Sequence, residues 1–278
     1  KQYQQDILLE GEATKLLDIG DGIASVSFKT KMNILSSNVL TELPKCLDYL
    51  EENGFHALIF KQEQEHFCAG ANLYEIISAI KLGLLEKDPG VASKAKKKAF
   101  EVMNPGLPKL GKLYSIKKTV AMLQELLMRL KHGKIVTVAA VDGLALGGGC
   151  EVLLHCDAIQ AHAETYLGLV EVGVGLVPAW GGCKEMLLRW MNNPKHPQGP
   201  MAAVGKVFEA IGMANVSRSA EEARDLLFLR PTDNISMNRD RLLADAKAMA
   251  RRLAADYSPP RPPEMRLPGP SGRAAMTM

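Results

Sequence analysis

The 278-residue chain carries a formal net charge of +3, with 47% hydrophobic and 23% charged residues, the balance of a globular protein with a real core and no electrostatic ground for binding nucleic acid. No apolar run reaches the roughly 20 residues that span a membrane, and Lys1-Gln2-Tyr3 does not open a signal peptide. Five cysteines, odd in number and without C-x-x-C spacing, suggest neither a disulfide framework nor a zinc site, so a reducing, cytoplasmic setting is expected.

Residues 13–30 alternate, with Ala24, Val26 and Phe28 on one face and Ser25 and Ser27 on the other. Together with the turn Gly20-Asp21-Gly22 they predict a hairpin. Ser36 or Ser37 then caps a helix whose stripe is Leu40, Leu43, Leu47 and Leu50. Pro44 interrupts that stripe and predicts a kink or a later start. His56 to Phe60 reads as a buried strand, and a polar loop from Lys61 to Glu65 leads into Phe67-Cys68-Ala69-Gly70-Ala71-Asn72 and a helix from about Leu73. Residues 81–133 form a lysine-rich, mainly helical stretch with Lys94, Lys96, Lys97 and Lys98, then Lys109, Lys112, Lys117 and Lys118. These lysines form either a solvated helix face or a cluster that screens the phosphates of a bound ligand.

The most informative stretch runs from Lys134 to Gly182. A β-branched run, Ile135 to Val141, reads as a buried strand closed by an Asp142-Gly143 turn. Gly147, Gly148 and Gly149 follow, then Glu151 in an apolar helical run, and twenty residues later Glu171, again among apolar neighbours. Bare backbone N–H groups at a helix start and two acids in apolar settings are the parts for acid–base chemistry beside an oxyanion. His66, His155 and His162 have no metal-site spacing, and His155, after two leucines, is expected to be packed or hydrogen-bonded. Beyond Gly182 the chain turns helical: Ser219-Ala220-Glu221-Glu222 is a capping box, and Leu242, Ala246, Met249 and Leu253 share one helix face. The proline-rich run 259–270 reads as an extended linker or wrapping arm. Strand–helix alternation predicts an α/β fold with right-handed crossovers, which pattern alone does not separate from a doubly wound sheet.

The stretch Gly143-Leu144-Ala145-Leu146-Gly147-Gly148-Gly149-Cys150-Glu151 resembles the G-x-A-x-G-G-G-x-E turn of the enoyl-CoA hydratase/isomerase (crotonase) superfamily. Phe67 to Asn72 resembles its F-x-A-G-A-D motif, with Asn72 in place of Asp. The resemblance implies a crotonase spiral of ββα units: a catalytic core over 1–190 with the insert at 81–133, a helical region over 191–258 and a proline-rich tail over 259–278. It implies that the N–H groups of Ala71 and Gly148 receive a thioester oxyanion, with Ala69, Gly70 and Gly147 beside the thioester. Glu151 and Glu171 match the family's two catalytic glutamates, which hold a water between them. The reaction implied is hydration of a trans-2-enoyl-CoA in fatty-acid β-oxidation, with no cofactor. Ala179, within Pro178-Ala179-Trp180-Gly181-Gly182, replaces a glycine that in the family lies near that water.

Phe228 to Asn234 and Met237 to Leu242 resemble the hydratase part of multifunctional 3-hydroxyacyl-CoA dehydrogenases. By that resemblance an upstream dehydrogenase part of the same polypeptide is a partner, any NAD site lies outside this segment, and both ends of the chain are cuts. A homo-oligomer is compatible with all of this. The alternatives are an isomerase of enoyl-CoA double bonds, a non-catalytic acyl-CoA-binding scaffold, and a dinucleotide binder. The last fits poorly, because Gly147-Gly148-Gly149 is not G-x-G-x-x-G and an acid follows at once.

Overall fold

Seven strands form one sheet in chain order in the computed structural model, which describes residues 6–82, 98, 102–103, 115–265 and 267–277. Strands β1 (Asp6–Glu10), β2 (Thr14–Asp18) and β3 (Ile23–Phe28) pair antiparallel. From β3 onward, β4 (Ala57–Phe60), β5 (Val136–Leu146), β6 (Ala158–Gly168) and β7 (Asn234–Ser236) add in parallel. The predicted hairpin is β2–β3, with Gly20 N–H donating to Asp18 Oδ1 at 2.7 Å in its turn. Strand β1 was not anticipated. Ser25 and Ser27 are both buried rather than facing water, because both faces of the sheet are covered.

Two-residue periodicity divides the core into two layers. Leu58 and Phe60 of β4, with Ala139 and Val141 of β5, face helices α1 (Ser37–Glu52), α3 (Ile116–His132) and α4 (Gly148–Leu154). Ala57 and Ile59, with Val136, Val138 and Ala140, face Leu242, Ala246, Met249 and Ala250 of helix α8 (Leu242–Ala254). Burying each of the large side chains contributes about 1.5–3 kcal/mol before conformational entropy is counted. The remaining helices are α2 (Leu73–Lys81), α5 (Gly182–Met191), α6 (Pro200–Gly212), α7 (Ala220–Asp225) and α9 (Gly269–Thr277).

Three expectations need correction. Helix α1 does not start late: it runs from Ser37, capped by Ser36, through Pro44, because Leu40, Leu43, Leu47 and Leu50 are all buried against the sheet on both sides of the proline. Asp142-Gly143 is no terminating turn but a register shift inside β5, which continues to Leu146. Asp142 is buried there and paired with Lys61 and Arg239, so the strand bends without ending. In the capping box, Ser219 Oγ accepts from Glu222 N as expected, but the Glu222 carboxylate accepts from Arg218 N rather than closing back on Ser219. Of the lysine cluster, Lys94, Lys96, Lys97, Lys109 and Lys112 lie outside the described residues, while Lys117 and Lys118 are exposed on α3.

Candidate active site

The far half of β5 brings two distant loops together. Cys68 N–H donates to Leu144 O and Leu146 N–H donates to Cys68 O, both at 3.0 Å, so the Phe67–Asn72 segment runs beside the strand's end. Ala69 is pinned as well, its N–H donating to Met32 O. Gly70, at φ +101°, lies against the next turn: a Cβ there would stand 3.0 Å from Leu146 O and 3.7 Å from Gly148 N. That position needs glycine for its backbone and for its closeness. Leu35 N–H donates to Gly70 O and Leu35 O accepts from Asn72 N–H. Leu35 thus forms a parallel bridge with Ala71 by bonding the residues on either side of it, which leaves Ala71 N–H facing away from Leu35. Gly148 is the first residue of α4, where an N–H has no intrahelical acceptor. Asn72 keeps a role open to either Asn or Asp, accepting from Glu75 N–H at the start of α2.

Glu151 projects from the first turn of α4 and is buried. Its Oε1 accepts hydrogen bonds from Trp180 N–H at 2.9 Å and Gly182 N–H at 2.8 Å. Glu171 opens a short 3-10 turn, Glu171–Val174, and its Oε1 approaches Gly147 so closely that a Cβ there would stand 3.1 Å away. Its Oε2 is buried without a hydrogen-bond partner among the described residues. Burial pushes the Glu151 pKa up to about 8, helped by the charge of Glu171 and opposed by the amides of Gly182, Trp180 and Gly181. Burial also raises that of Glu171. Two carboxyls that resist ionisation can hold and pass a proton near neutral pH.

The seven residues singled out from sequence, Ala69, Gly70, Ala71, Gly147, Gly148, Glu151 and Glu171, all line one cavity of about 210 Å³. Its remaining wall is apolar: Leu73, Ile76 and Ile80 from α2, Ile116 and Val120 from α3, and Val170, Val174, Leu176 and Val177 around Glu171. Sequence reasoning missed Trp180 and Gly182, whose amides hold Glu151; the signal was the Gly181-Gly182 pair, noted only for the departure at Ala179. Ala179 lines the cavity, and its carbonyl accepts from Gln124 Nε2 at 2.7 Å. Lys117 and Lys118 are not among the lining residues. His155 is buried and hydrogen-bonded, as its setting implied. Among the described residues no group of three His, Cys, Asp or Glu side chains could hold a metal ion, and no helix is long and apolar enough to cross a membrane. A larger cavity of about 580 Å³ lies between α5 and α8, walled by Arg189, Arg230 and Tyr257, and contains none of the seven.

Residues 111–195 match the enoyl-CoA hydratase/isomerase family. A relative from Bacillus subtilis, described as a probable 3-hydroxyacyl-CoA dehydrogenase, is 34% identical over 98% of this chain, which spans 30% of that protein. The mitochondrial methylglutaconyl-CoA hydratase of Mus musculus is 32% identical over 55% of this chain and 40% of its own. Among solved structures, an enoyl-CoA hydratase from Bacillus anthracis superposes with a TM-score of 0.64 at 22% identity, covering 88% of this chain and 78% of that one.

Proposed function

The chain belongs to the enoyl-CoA hydratase/isomerase (crotonase) superfamily and has its fold, and we propose that it adds water across the double bond of a trans-2-enoyl-CoA to give the 3-hydroxyacyl-CoA. The observation that carries this reading is the convergence of two carboxyls with raised pKa, Glu151 and Glu171, on one apolar cavity beside the amides of Ala71 and Gly148.

In the proposed reaction one carboxylate takes a proton from water as the water oxygen bonds to Cβ. The π electrons move toward the thioester oxygen, which becomes an enolate facing the Ala71 and Gly148 N–H groups. Collapse of the enolate draws a proton onto Cα from the other carboxyl, so water is consumed and no cofactor is required. Each amide donor is worth about 3–4 kcal/mol of barrier. Shifting a double bond moves one proton between two carbons and needs one acid–base group; a second acid favours hydration over isomerisation. A non-catalytic acyl-CoA-binding module would have no use for either buried acid, whose desolvation is costly.

The wider setting is part of the same proposal. The chain works in fatty-acid β-oxidation in the cytoplasm, joined to a dehydrogenase part that carries the NAD site, and a homo-oligomer is compatible with it. The test is loss of conjugated-thioester absorbance on adding the protein to 2-enoyl-CoAs of several lengths, with 3-enoyl-CoA offered in parallel. Hydration in wild type, lost in Glu151→Gln, is expected. Turnover of 3-enoyl-CoA alone would favour the isomerase, and no turnover of either substrate would favour the binding module.

A further inference from the structure

We propose that His155 is a positioning residue for Glu151, acting from behind the cavity rather than on the substrate. The inference rests on the reading of Glu151 as an acid–base group. The imidazole touches the Glu151 assembly at two points. Its Nδ1 lies 2.7 Å from the Glu151 backbone oxygen. A carbonyl only accepts, so Nδ1 carries the hydrogen and the neutral ring leaves Nε2 bare. The other edge of the ring covers Gly181, at φ +125°: a Cβ there would stand 2.6 Å from Cε1 and 2.7 Å from Nε2. Gly181 lies between Trp180 and Gly182, the two residues whose N–H groups donate to Glu151 Oε1. One side chain therefore sets both the backbone from which the carboxyl projects and the loop that holds the carboxyl's oxygen.

A cluster of charges lies behind the ring. Glu185 Oε1 lies 3.6 Å from Nε2, Lys184 Nζ is 3.0 Å from that same oxygen, and Lys131 Nζ pairs with Glu185 Oε2. Lys131 comes from α3, Lys184 and Glu185 from α5, so the two helices meet at the Glu185 carboxylate. Burial pushes His155 down to about 4, against the pull of Glu185 and the Glu151 carbonyl, so near neutral pH the ring is uncharged with its tautomer set. Burial would raise Glu185, but its ion pairs with Lys131 and Lys184 outweigh it and keep that carboxyl ionised. The charged group that faces Glu151 from the cavity side is Glu171. Neither His155 nor Glu185 lines the cavity, which separates positioning from a direct part in catalysis.

A ring that merely filled the core would affect stability when replaced, but not the titration of Glu151. The experiment is an infrared titration of the Glu151 carboxyl, assigned by its loss in Glu151→Gln, in wild type, His155→Leu and His155→Asn. Leucine removes the Nδ1 donor and reshapes the contact over Gly181; asparagine keeps a donor near Nδ1 but vacates that space. With the Trp180 and Gly182 amides less well aimed, the carboxylate loses support, so its titration should move upward by about one pH unit in His155→Leu and by less in His155→Asn. Hydration kcat should fall about tenfold in His155→Leu while KM stays within about twofold. An unchanged Glu151 titration in a folded variant overturns the proposal whatever happens to Tm, and His155→Asn decides alone if the leucine variant does not fold. Failure of wild type to hydrate any enoyl-CoA would sink the proposed function, yet the carboxyl titration would still decide the positioning role.

Discussion

Trp180 packs against Gly148 so closely that a Cβ at the glycine would stand 1.9 Å from Cζ3 of the indole. The same tryptophan donates its backbone N–H to Glu151 Oε1. A side chain at position 148 would thus displace the residue that orients the buried acid, before any substrate entered. The glycines of this turn serve the protein's own packing as well as access to a thioester, since a Cβ on Gly149 would likewise stand 2.6 Å from Cys68 O.

Gly148→Ala should therefore lower stability by about 1–3 kcal/mol, the usual cost of overpacking a core, and depress kcat as well. Urea unfolding and steady-state hydration measure the two. A variant as stable as wild type would mean that Trp180 moves aside freely.

Glu151→Gln and Glu171→Gln should each lower hydration kcat by about 10²–10⁴-fold with the circular dichroism spectrum retained, because each removes one proton-transfer partner. Near wild-type turnover by either variant would remove that residue from the mechanism.

The pH dependence of stability follows from the raised pKa of Glu151. Its folded value of about 8 lies above the ordinary 4.5, so between those limits the folded state binds more protons than the unfolded one. Stability from this group is fully present below pH 4.5 and is lost as pH rises toward 8, by up to about 1.4 kcal/mol per pH unit. Glu151→Gln removes that slope. Its Tm should gain on wild type progressively from pH 5 to 8 and run parallel to it above. A constant Tm difference across the range would contradict the assignment.

The apolar wall predicts how the cavity treats acyl length. Ile80 lines it yet is 45% exposed, a side chain available for contact at the mouth. Ile80→Ser should raise KM for longer 2-enoyl-CoAs by about tenfold, the equivalent of roughly 1.4 kcal/mol of lost apolar burial, and leave crotonyl-CoA nearly unchanged. Equal effects on short and long substrates would place the acyl chain elsewhere.

The α/β class, the β2–β3 hairpin, the capped α1 and seven of the residues that line the cavity were legible in the chain, because each rests on local patterns or short motifs. Gly147, Gly148 and Glu151 are neighbours in sequence, and Phe67 to Asn72 is a single motif, so resemblance located them without coordinates. Local signals failed where distant contacts outweighed them. The Asp142-Gly143 pair has the chemistry of a turn, but pairing with β6 on both sides and the ion pairs from Lys61 and Arg239 carry β5 through it. Pro44 has the chemistry of a helix stop, but a leucine stripe buried on both sides keeps α1 whole.

What the sequence determined by itself was a set of parts: two acids in apolar runs, bare amides at a glycine turn, and an acyl-CoA family resemblance. Tertiary structure alone decided which groups hold those acids and how strongly they resist ionisation. The amides of Trp180 and Gly182 reach Glu151 across about thirty residues of chain, and Glu171 reaches Gly147 across more than twenty. His155 joins the clamp only because the turn before α5 brings Gly181, about twenty-five residues on, against its ring. Burial and the direction of a hydrogen bond are properties of the space around a group, and that space is filled by residues far away in the chain.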